Sequence, residues 1–151
     1  MLDCIDYKII GYLKRNGRAQ WKEIGHRIHL TGQAVADRVH RLEDLGIIER
    51  YTVVVDESKL GKPVTAFITI FLKTGLHEEL RQFLRGRAEV EEVHRISGEG
   101  CYWLKACFSA NPDLTAFLNQ LLSYGNYRVN LSIEKLPVHH DLCVHELDSI
   151  R

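Results

Sequence analysis

The sequence predicts an α+β protein: an N-terminal winged-type helix-turn-helix of three helices, followed by a ferredoxin-like βαββαβ domain. Three observations lead to this prediction. Apolar residues recur at helical spacing in three stretches of the first 48 residues. Beyond residue 62, β-rich runs and shorter helical stretches follow one another in the order β-α-β-β-α-β. Between the two parts, Leu60-Gly61-Lys62-Pro63 interrupts regular structure and indicates a linker.

The predicted boundaries are 1–48 for the helix-turn-helix domain, 49–62 for a strand and linker, 63–136 for the ferredoxin-like domain and 137–151 for a C-terminal tail. An apolar content of 45% and a charged content of 26% are typical of a soluble globular protein. No apolar run approaches the ~20 residues that span a bilayer. The N-terminus lacks a signal-peptide pattern. We therefore expect a cytoplasmic protein with no membrane partner, and four cysteines without CxxC spacing fit reduced thiols.

The first two helices are short and amphipathic. Helix 1 is predicted to begin at Asp3, which can cap it, and to end at Asn16-Gly17. Its buried stripe comprises Ile5, Ile9, Ile10 and Leu13. Helix 2 is predicted from Trp21 to Leu30, with Ile24 and Ile28 inward and Gly25 where another helix must approach closely. A short helix, a tight turn and a longer helix make a helix-turn-helix.

The third helix, within Leu30 to Ile48, carries the candidate site. Thr31 is the expected N-cap and Gly46 the expected stop. The predicted core stripe comprises Val35, Val39, Leu42 and Leu45. The opposite face comprises Gln33, Asp37, His40 and Arg41, flanked by Ala34 and Arg38. Such a face suits the major groove of DNA, where Gln and Arg can bond adenine and guanine edges; the alternative is a merely solvated helix.

Charge is distributed unevenly along a chain whose formal net charge is zero. From Lys14 to Arg41 there are seven basic residues against Glu23 and Asp37. Attraction to phosphate depends on the local excess of charge and not on the total. The zero net charge therefore does not exclude a nucleic-acid partner.

The motifs of the first 48 residues together resemble the Lrp/AsnC (feast/famine) family of bacterial and archaeal transcription regulators. The matching residues, at ungapped spacing, are Asp3-x-x-Asp6 with Ile9-Ile10-x-x-Leu13, Asn16-Gly17-Arg18, Glu23-Ile24-Gly25-x-Arg27-Ile28-x-Leu30-Thr31 and Arg38-Val39-x-Arg41-Leu42-Glu43-x-x-Gly46-Ile47-Ile48. His29 stands where the family usually has Gly, so a positive φ is expected there. The second domain resembles the ligand-sensing, dimer-forming domain (RAM or ACT-like) of the same family.

The resemblance implies a sequence-specific regulator that binds double-stranded DNA. Lys22, Arg27 and Thr31 would hold phosphates. The residues expected at base edges or the nearby backbone are Gln33, Ala34, Asp37, Arg38 and Arg41. For Asp37 we expect a cytosine contact or an intrahelical pair with Arg41 at i+4. A homodimer, assembling to an octamer in many relatives, would place one helix-turn-helix on each half-site.

The remaining elements follow from β-propensity and helical periodicity. A strand is predicted over Glu49 to Asp56. The ferredoxin-like elements are predicted as strand Val64–Lys73, helix Glu78–Leu84, strands Val90–Ser97 and Cys101–Phe108, helix Pro112–Leu122 and strand Val129–Leu136. Phe67 and Phe71 alternate with Ile68 and Ile70, so both faces of the first strand are apolar. Because helices would cover only one face, we expect the other to pair with a second chain.

An effector site is expected at the turn from Ser97 to Trp103. Gly98 and Gly100 permit a backbone that exposes polar groups to a ligand. In the resembling family this turn binds an amino acid, with an Asp where this chain has Cys101. The expected site comprises Gly98, Glu99, Gly100, Cys101 and Tyr102, with Asn130 and Ser132 as weaker candidates. Because a neutral thiol cannot pair with an α-ammonium group, we expect no standard amino acid to bind tightly.

Two other residue clusters carry weaker signals. His139, His140, Cys143 and His145 match no established zinc spacing, so neither a metal nor another cofactor is expected. His94 and Cys107 lie in predicted strands without an orienting third group, so core packing is expected and not thiol catalysis.

Two other functions stay open at this point. Some siroheme decarboxylases resemble the same two-domain architecture, but an enzyme would need more than His94, Arg95 and Tyr102 near a pocket. An amino-acid-binding module without a DNA role would have no need of the basic third helix. We therefore predict a regulator that is not an enzyme, with an amino-acid effector left open.

Overall fold

The computed structural model describes residues 1–136, which form two compact units, residues 1–54 and 55–136. The tail with its four candidate metal ligands lies outside the described residues. The N-terminal unit contains α1 (Cys4–Arg15), α2 (Trp21–Ile28) and α3 (Gly32–Asp44). The C-terminal unit contains, in order, a 3₁₀ turn (Glu57–Leu60), β1 (Val64–Leu72), α4 (His77–Leu84), β2 (Val90–Arg95), β3 (Tyr102–Phe108), α5 (Asn111–Leu121) and β4 (Gly125–Leu131).

The three N-terminal helices share one apolar core. It is formed by Ile9, Leu13, Ile24, Val35, Val39 and Leu42. Asp3 caps α1 in a reciprocal capping box with Asp6, and Asn16 ends the helix, as predicted. α2 ends two residues before the predicted Leu30, because His29 adopts a left-handed φ of 59°. The expected positive φ at His29 is confirmed.

Leu45 was predicted to face the core, and that prediction is wrong. Its side chain is 59% exposed. α3 ends at Asp44, Gly46 turns with a φ of 67°, and the N–H groups of Ile47 and Ile48 return to the carbonyl of Leu42. This reversal brings Ile48 against the core instead. The apolar stripe of α3 therefore ends at Leu42.

The predicted strand over Glu49 to Asp56 is also absent. Residues 1–54 contain no strand, so the helix-turn-helix has no wing in this unit. Val53 and Val54 are 79% and 88% exposed. β-branched residues favour an extended chain, but a strand needs a hydrogen-bonding partner, and none lies beside this segment within residues 1–136.

The C-terminal unit is a four-stranded antiparallel sheet of order β2-β3-β1-β4, the ferredoxin-like arrangement that was predicted. α4 and α5 cover one face, burying Ile68, Ile70, Tyr102 and Leu104 among others. Phe67 and Trp103 lie on the opposite, outer face, and their rings stack at 5.6 Å. The predicted alternation of faces along β1 and β3 is thereby confirmed.

The last strand begins four residues before its predicted start. β4 pairs with β1 from Gly125 opposite Leu72 to Leu131 opposite Ala66. A Cβ at position 125 would lie 2.2 Å from the carbonyl oxygen of Phe71, so only Gly permits this approach. Gly and Asn have low strand propensity, and for that reason the sequence pattern misses the start of β4.

Candidate nucleic-acid interface and effector turn

α2 packs closely against the turn after it and against the N-terminus of α3 at two glycines. A Cβ on Gly25 would lie 2.5 Å from the carbonyl oxygen of Leu30, and one on Gly32 would lie 3.2 Å from Cα of Lys22. Lys22 is exposed at the start of α2. The positive ends of two helix dipoles and one ammonium group therefore lie together, an arrangement that favours a phosphate.

Thr31 caps α3 and lies in this region. Its Oγ1 accepts a hydrogen bond from the N–H of Ala34 at 3.1 Å. The hydroxyl proton is left to donate to another acceptor, so the predicted phosphate contact is compatible with the cap.

The exposed side of the first turns of α3 presents Gln33 and Asp37. Gln33 Nε2 donates to Asp37 Oδ1 at 2.8 Å. The intrahelical pair that Asp37 was expected to form with Arg41 is therefore replaced by a pair with Gln33. Ala34, half-buried beside them, leaves room for a base edge.

Arg38 and Arg41 do not present free guanidinium groups on this face. Arg38 Nη1 donates to Asp3 Oδ2 at 2.6 Å and to Asp6 Oδ1 at 2.8 Å. Arg41 Nη2 donates to Asp6 Oδ2. The sequence prediction treated α3 in isolation and so placed both arginines at DNA, but the start of α1 supplies two carboxylates beside them.

This contact shifts the pKa values of Asp3, Asp6 and Arg38. Burial raises the pKa of Asp6, but hydrogen bonds from the Asp3 N–H and from Arg38 and Arg41 outweigh it, and the net pKa lies below the ordinary value. The N–H of Asp6 and the guanidinium of Arg38 likewise lower the pKa of Asp3. Hydrogen bonds to Asp3 and then Asp6 raise the pKa of Arg38. All of these groups are charged at neutral pH.

The remaining basic residues of the region have no such partners. Five of the seven are exposed and form no ion pair within residues 1–136: Lys14, Arg15, Arg18, Lys22 and Arg27. The guanidinium carbons of Arg15 and Arg27 lie 5.1 and 5.9 Å from the ring centre of Tyr12. We call these five the free basic residues. They are carried by α1, α2 and the turn between them.

In the C-terminal unit, the expected effector turn has two glycines with a backbone conformation that other residues rarely adopt. Gly98 and Gly100 have φ values of 95° and 100°. A Cβ on Gly100 would lie 2.5 Å from Cγ2 of Thr69, whereas one on Gly98 would meet nothing within 4 Å. The half-buried Cys101 follows, and its N–H donates to the carbonyl of Ile70 at 2.8 Å. The turn is thus held against the C-terminal part of β1.

The structure adds Arg128 to this turn, a residue that sequence reasoning missed. Arg128 Nη1 lies 3.0 Å from Glu99 Oε2, and its guanidinium lies 5.7 Å from the ring centre of Phe71. Arg128 pairs with Thr69 across β1 and β4. Only that strand register brings it to the turn, because nearly thirty residues of sequence separate it from Glu99.

Two of the expected effector residues, Tyr102 and Ser132, lie elsewhere, and Asn130 lies two residues along β4 from Arg128. Tyr102 is buried on the helix-covered face, 2% exposed, with its hydroxyl 3.0 Å from His77 Nδ1. Asn130 lies opposite Phe67, and the N–H of Ser132 bonds the carbonyl of Thr65. At ~3.3 Å per residue, Ser132 is about 15 Å along the sheet from the turn. The structure therefore brings together Gly98, Glu99, Gly100 and Cys101, and separates Tyr102 and Ser132 from them.

His94 and Cys107 are also separated. Cys107 is buried, with its Sγ 3.2 Å from Glu91 Oε1, and burial raises the pKa of its thiol. His94 is exposed, against the expectation of core packing, and lies 3.5 Å from Glu92. Within residues 1–136 no three His, Cys, Asp or Glu side chains gather as metal ligands. No helix in that range is long and apolar enough to cross a membrane.

A three-helix helix-turn-helix unit joined to a ferredoxin-like unit with a glycine-rich turn defines a two-domain transcription regulator. Family models agree, because the AsnC-type helix-turn-helix domain matches residues 2–43 and the Lrp/AsnC ligand binding domain matches residues 65–137. The chain belongs to the Lrp/AsnC family of transcriptional regulators.

Curated relatives and solved structures agree with this assignment. The chain is 46% identical over 140 residues to the HTH-type transcriptional regulator LrpB of Bacillus subtilis, covering 93% of this chain and 94% of that one. It is 38% identical over 136 residues to LrpA of the same organism, covering 89% and 100%. These names support a regulator over the decarboxylase alternative.

Among solved structures, B. subtilis LrpC superposes with a TM-score of 0.87 at 31% identity, covering 92% of this chain and 99% of that one. The transcriptional regulator NMB0573 of Neisseria meningitidis, solved as an L-Met complex, also gives 0.87, at 25% identity, covering 97% and 99%.

Proposed function

We propose that this regulator binds DNA as a homodimer, with the N-terminal half of each α3 in the major groove of one half-site of a pseudo-palindrome. The observation that carries the proposal is the contact of Lys22 with the N-terminus of α3, in a unit that carries four further free basic residues. These residues attract phosphate, and a phosphate held by Lys22 at the start of α3 would direct the exposed Gln33 and Asp37 of its first turns to the bases. A DNA-bound role also implies a cytoplasmic location.

The proposed roles divide between phosphates and bases. Lys22 and the Thr31 hydroxyl hold phosphates, since they lie at the N-termini of α2 and α3. Arg27, in the last turn of α2, holds a further phosphate. Gln33, Ala34 and Asp37 meet base edges. Gln33 can bond an adenine edge with its amide while Asp37 accepts from a cytosine amino group, if their mutual hydrogen bond opens.

Two variants test this division. Gln33→Ala removes base bonds, so specific affinity should fall by about 1–3 kcal/mol while the salt dependence stays the same. Lys22→Ala removes a phosphate contact, so affinity should fall for every sequence and the slope of log K against log salt should flatten by about 0.9. Fluorescence anisotropy on an operator duplex and on a scrambled duplex of equal length measures both. Parent-like binding by Gln33→Ala at the operator would remove α3 from the base-reading role.

Dimerisation is proposed through the outer face of the sheet. Phe67, Phe71 and Trp103 are half-buried there, and the two helices of the C-terminal unit lie on the opposite face. Three large aromatic side chains on one sheet face favour a protein partner. A second copy of the chain would cover this face through symmetric contacts. Assembly of such dimers to octamers is the extension that the family resemblance implies.

For the effector turn, we propose that standard amino acids bind weakly. Gly98 and Gly100 give the turn a backbone that a ligand can approach closely. Position 101, however, carries a thiol where an α-ammonium group needs a carboxylate. Glu99 is the nearby carboxylate, and Arg128 already pairs with it. The L-Met complex of NMB0573 shows what that neighbour binds. In this chain the carboxylate of the turn itself, Glu99, is paired with Arg128.

Cys101→Asp tests the proposal about the turn. The variant should bind some amino acid at least tenfold more tightly than the parent, because a charge-assisted hydrogen bond becomes available. Calorimetric titration of both proteins with the twenty amino acids measures it. Micromolar binding by the parent, lost on substitution of Gly100 by a bulky residue, would show that Glu99 or a partner group supplies the charge.

A further inference from the structure

Asp6 is a fully buried carboxylate between two arginines of the DNA-reading helix. It is 0% exposed, and it is the buried charged residue of the N-terminal unit. Oδ1 accepts from Arg38 Nη1 at 2.8 Å, and Oδ2 accepts from Arg41 Nη2 and from the Asp3 N–H, the latter at 3.0 Å. Both oxygens are therefore occupied by bonds from α1 and α3.

The arrangement cancels charge where DNA would approach. The charges of two carboxylates and two guanidinium groups sum to zero. Of the seven basic residues between Lys14 and Arg41, only the five free basic residues therefore contribute net positive charge that attracts phosphate. Arg38 is held more firmly than Arg41, since it has two carboxylate partners and 28% side-chain exposure against 47%.

Leaving this contact for a phosphate is unfavourable for either arginine. The buried Asp6 would lose part of its compensation, and an uncompensated charge in a protein interior is strongly destabilising. Asp3, by contrast, is half exposed, so water can solvate it if Arg38 moves. The constraint on both arginines is therefore set chiefly by Asp6.

We propose that Asp6, assisted by Asp3, is a specificity-determining positioning residue that holds Arg38 and Arg41 on α1 and keeps their charge from the DNA phosphates. Sequence-independent attraction to DNA phosphates then comes only from the free basic residues. Discrimination between DNA sequences depends on the N-terminal half of α3. This inference rests on the proposed DNA-binding surface and refines it, because it removes two arginines from the base-reading set.

The test is the salt dependence of binding to a scrambled duplex, measured on the full-length protein. Asp6→Asn keeps the shape and the cap but removes the charge, so the freed arginines should bind phosphates. The slope of log K against log salt should steepen by about 0.9 for each arginine that binds a phosphate, up to about 1.8. Operator affinity should rise less, so the ratio of specific to non-specific affinity should fall several-fold.

Companion variants separate this effect from a general loss of negative charge. Asp44→Asn removes a charge from α3, the helix that carries both arginines, at a residue that forms no ion pair within residues 1–136. It should change the slope by much less than about 0.9. Arg41→Ala should leave the parent's slope unchanged but reverse part of the steepening in the Asp6→Asn protein. Asp3→Asn keeps an N-cap residue and removes one of the two carboxylates that hold Arg38, while Asp6 stays paired with it. This variant should steepen the slope by less than Asp6→Asn, and it tests the inference if Asp6→Asn fails to fold.

The outcomes distinguish the inference from the proposed function. A parent slope that flattens by about 0.9 in Arg41→Ala would show Arg41 already on a phosphate and overturn the inference. An unchanged or shallower slope in Asp6→Asn and Asp3→Asn would also overturn the inference, but it would leave the proposed DNA-binding role of the helix-turn-helix unchanged. A parent protein that binds no duplex at any salt concentration would overturn the proposed DNA surface itself.

Discussion

At the scale of single residues, Gly25 decides whether α2 and the turn after it can close on each other. An ideal Cβ there lies 2.5 Å from the carbonyl oxygen of Leu30 and 3.2 Å from the carbonyl carbon of Thr31. Both are backbone atoms, so a side-chain rotation cannot relieve the overlap. The need for Gly at this position comes from a close approach, since its φ is helical.

Gly25→Ala should therefore destabilise the protein by about 1–3 kcal/mol, the range for overpacking a closed site. Urea unfolding followed by circular dichroism measures the change. Gly17→Ala is the matched control, because its nearest atom, the carbonyl oxygen of Leu13, lies at 3.8 Å; there we expect a change within about 0.5 kcal/mol. Equal stability of the two variants would contradict the close approach.

At the scale of secondary-structure elements, α1 and α3 are joined by charged groups as well as by the apolar core. The pKa values of Asp3 and Asp6 lie below their ordinary value of 3.8 in the folded protein. As the pH falls, the unfolded chain takes up protons first, so acid favours unfolding. The stability from these carboxylates is complete above about pH 5 and is lost as the pH falls through their folded pKa values.

We therefore expect the N-terminal unit to lose stability between about pH 5 and its acid unfolding point, and Asp6→Asn to lose less over the same range. Denaturation curves at a series of pH values measure the slope of stability against pH. Asp44→Asn should keep the parent's slope. A parent protein as stable at pH 3 as at pH 6 would contradict the ion-pair contact between the helices.

At the scale of the whole molecule, the outer face of the sheet determines the oligomeric state under our proposal. Phe67→Asp puts a charge beside Trp103, where the stacked rings would meet a partner. The variant should give monomers or aggregates with poor operator affinity, because one helix-turn-helix makes too few contacts. Light scattering and anisotropy measure the two effects.

Leu122→Asp is the control, since Leu122 is an exposed apolar residue at the end of α5 and not on the outer sheet face. It should keep the parent's mass and DNA affinity. A parent protein that is a well-folded monomer and binds its operator fully would contradict the dimer and the two-half-site geometry together.

Interactions between residues close together in the sequence determined most of the helices and strands. The spacing of Ile9, Leu13, Val35, Val39 and Leu42 is set by the helical repeat, and the caps at Asp3 and Thr31 act within four residues. Alternation along β1 follows from the strand repeat of two. These features were predicted because the interactions that form them are short-range in sequence.

Other features depend on contacts between residues distant in sequence, and only the tertiary structure decided them. The carboxylates of α1 give Arg38 and Arg41 partners more than thirty residues away, and the register of β4 on β1 brings Arg128 to Glu99. The valines before Val55 remain exposed despite their propensity, because no strand lies beside them in residues 1–136. Periodicity shows which face a side chain is on; what that face meets depends on how the elements pack.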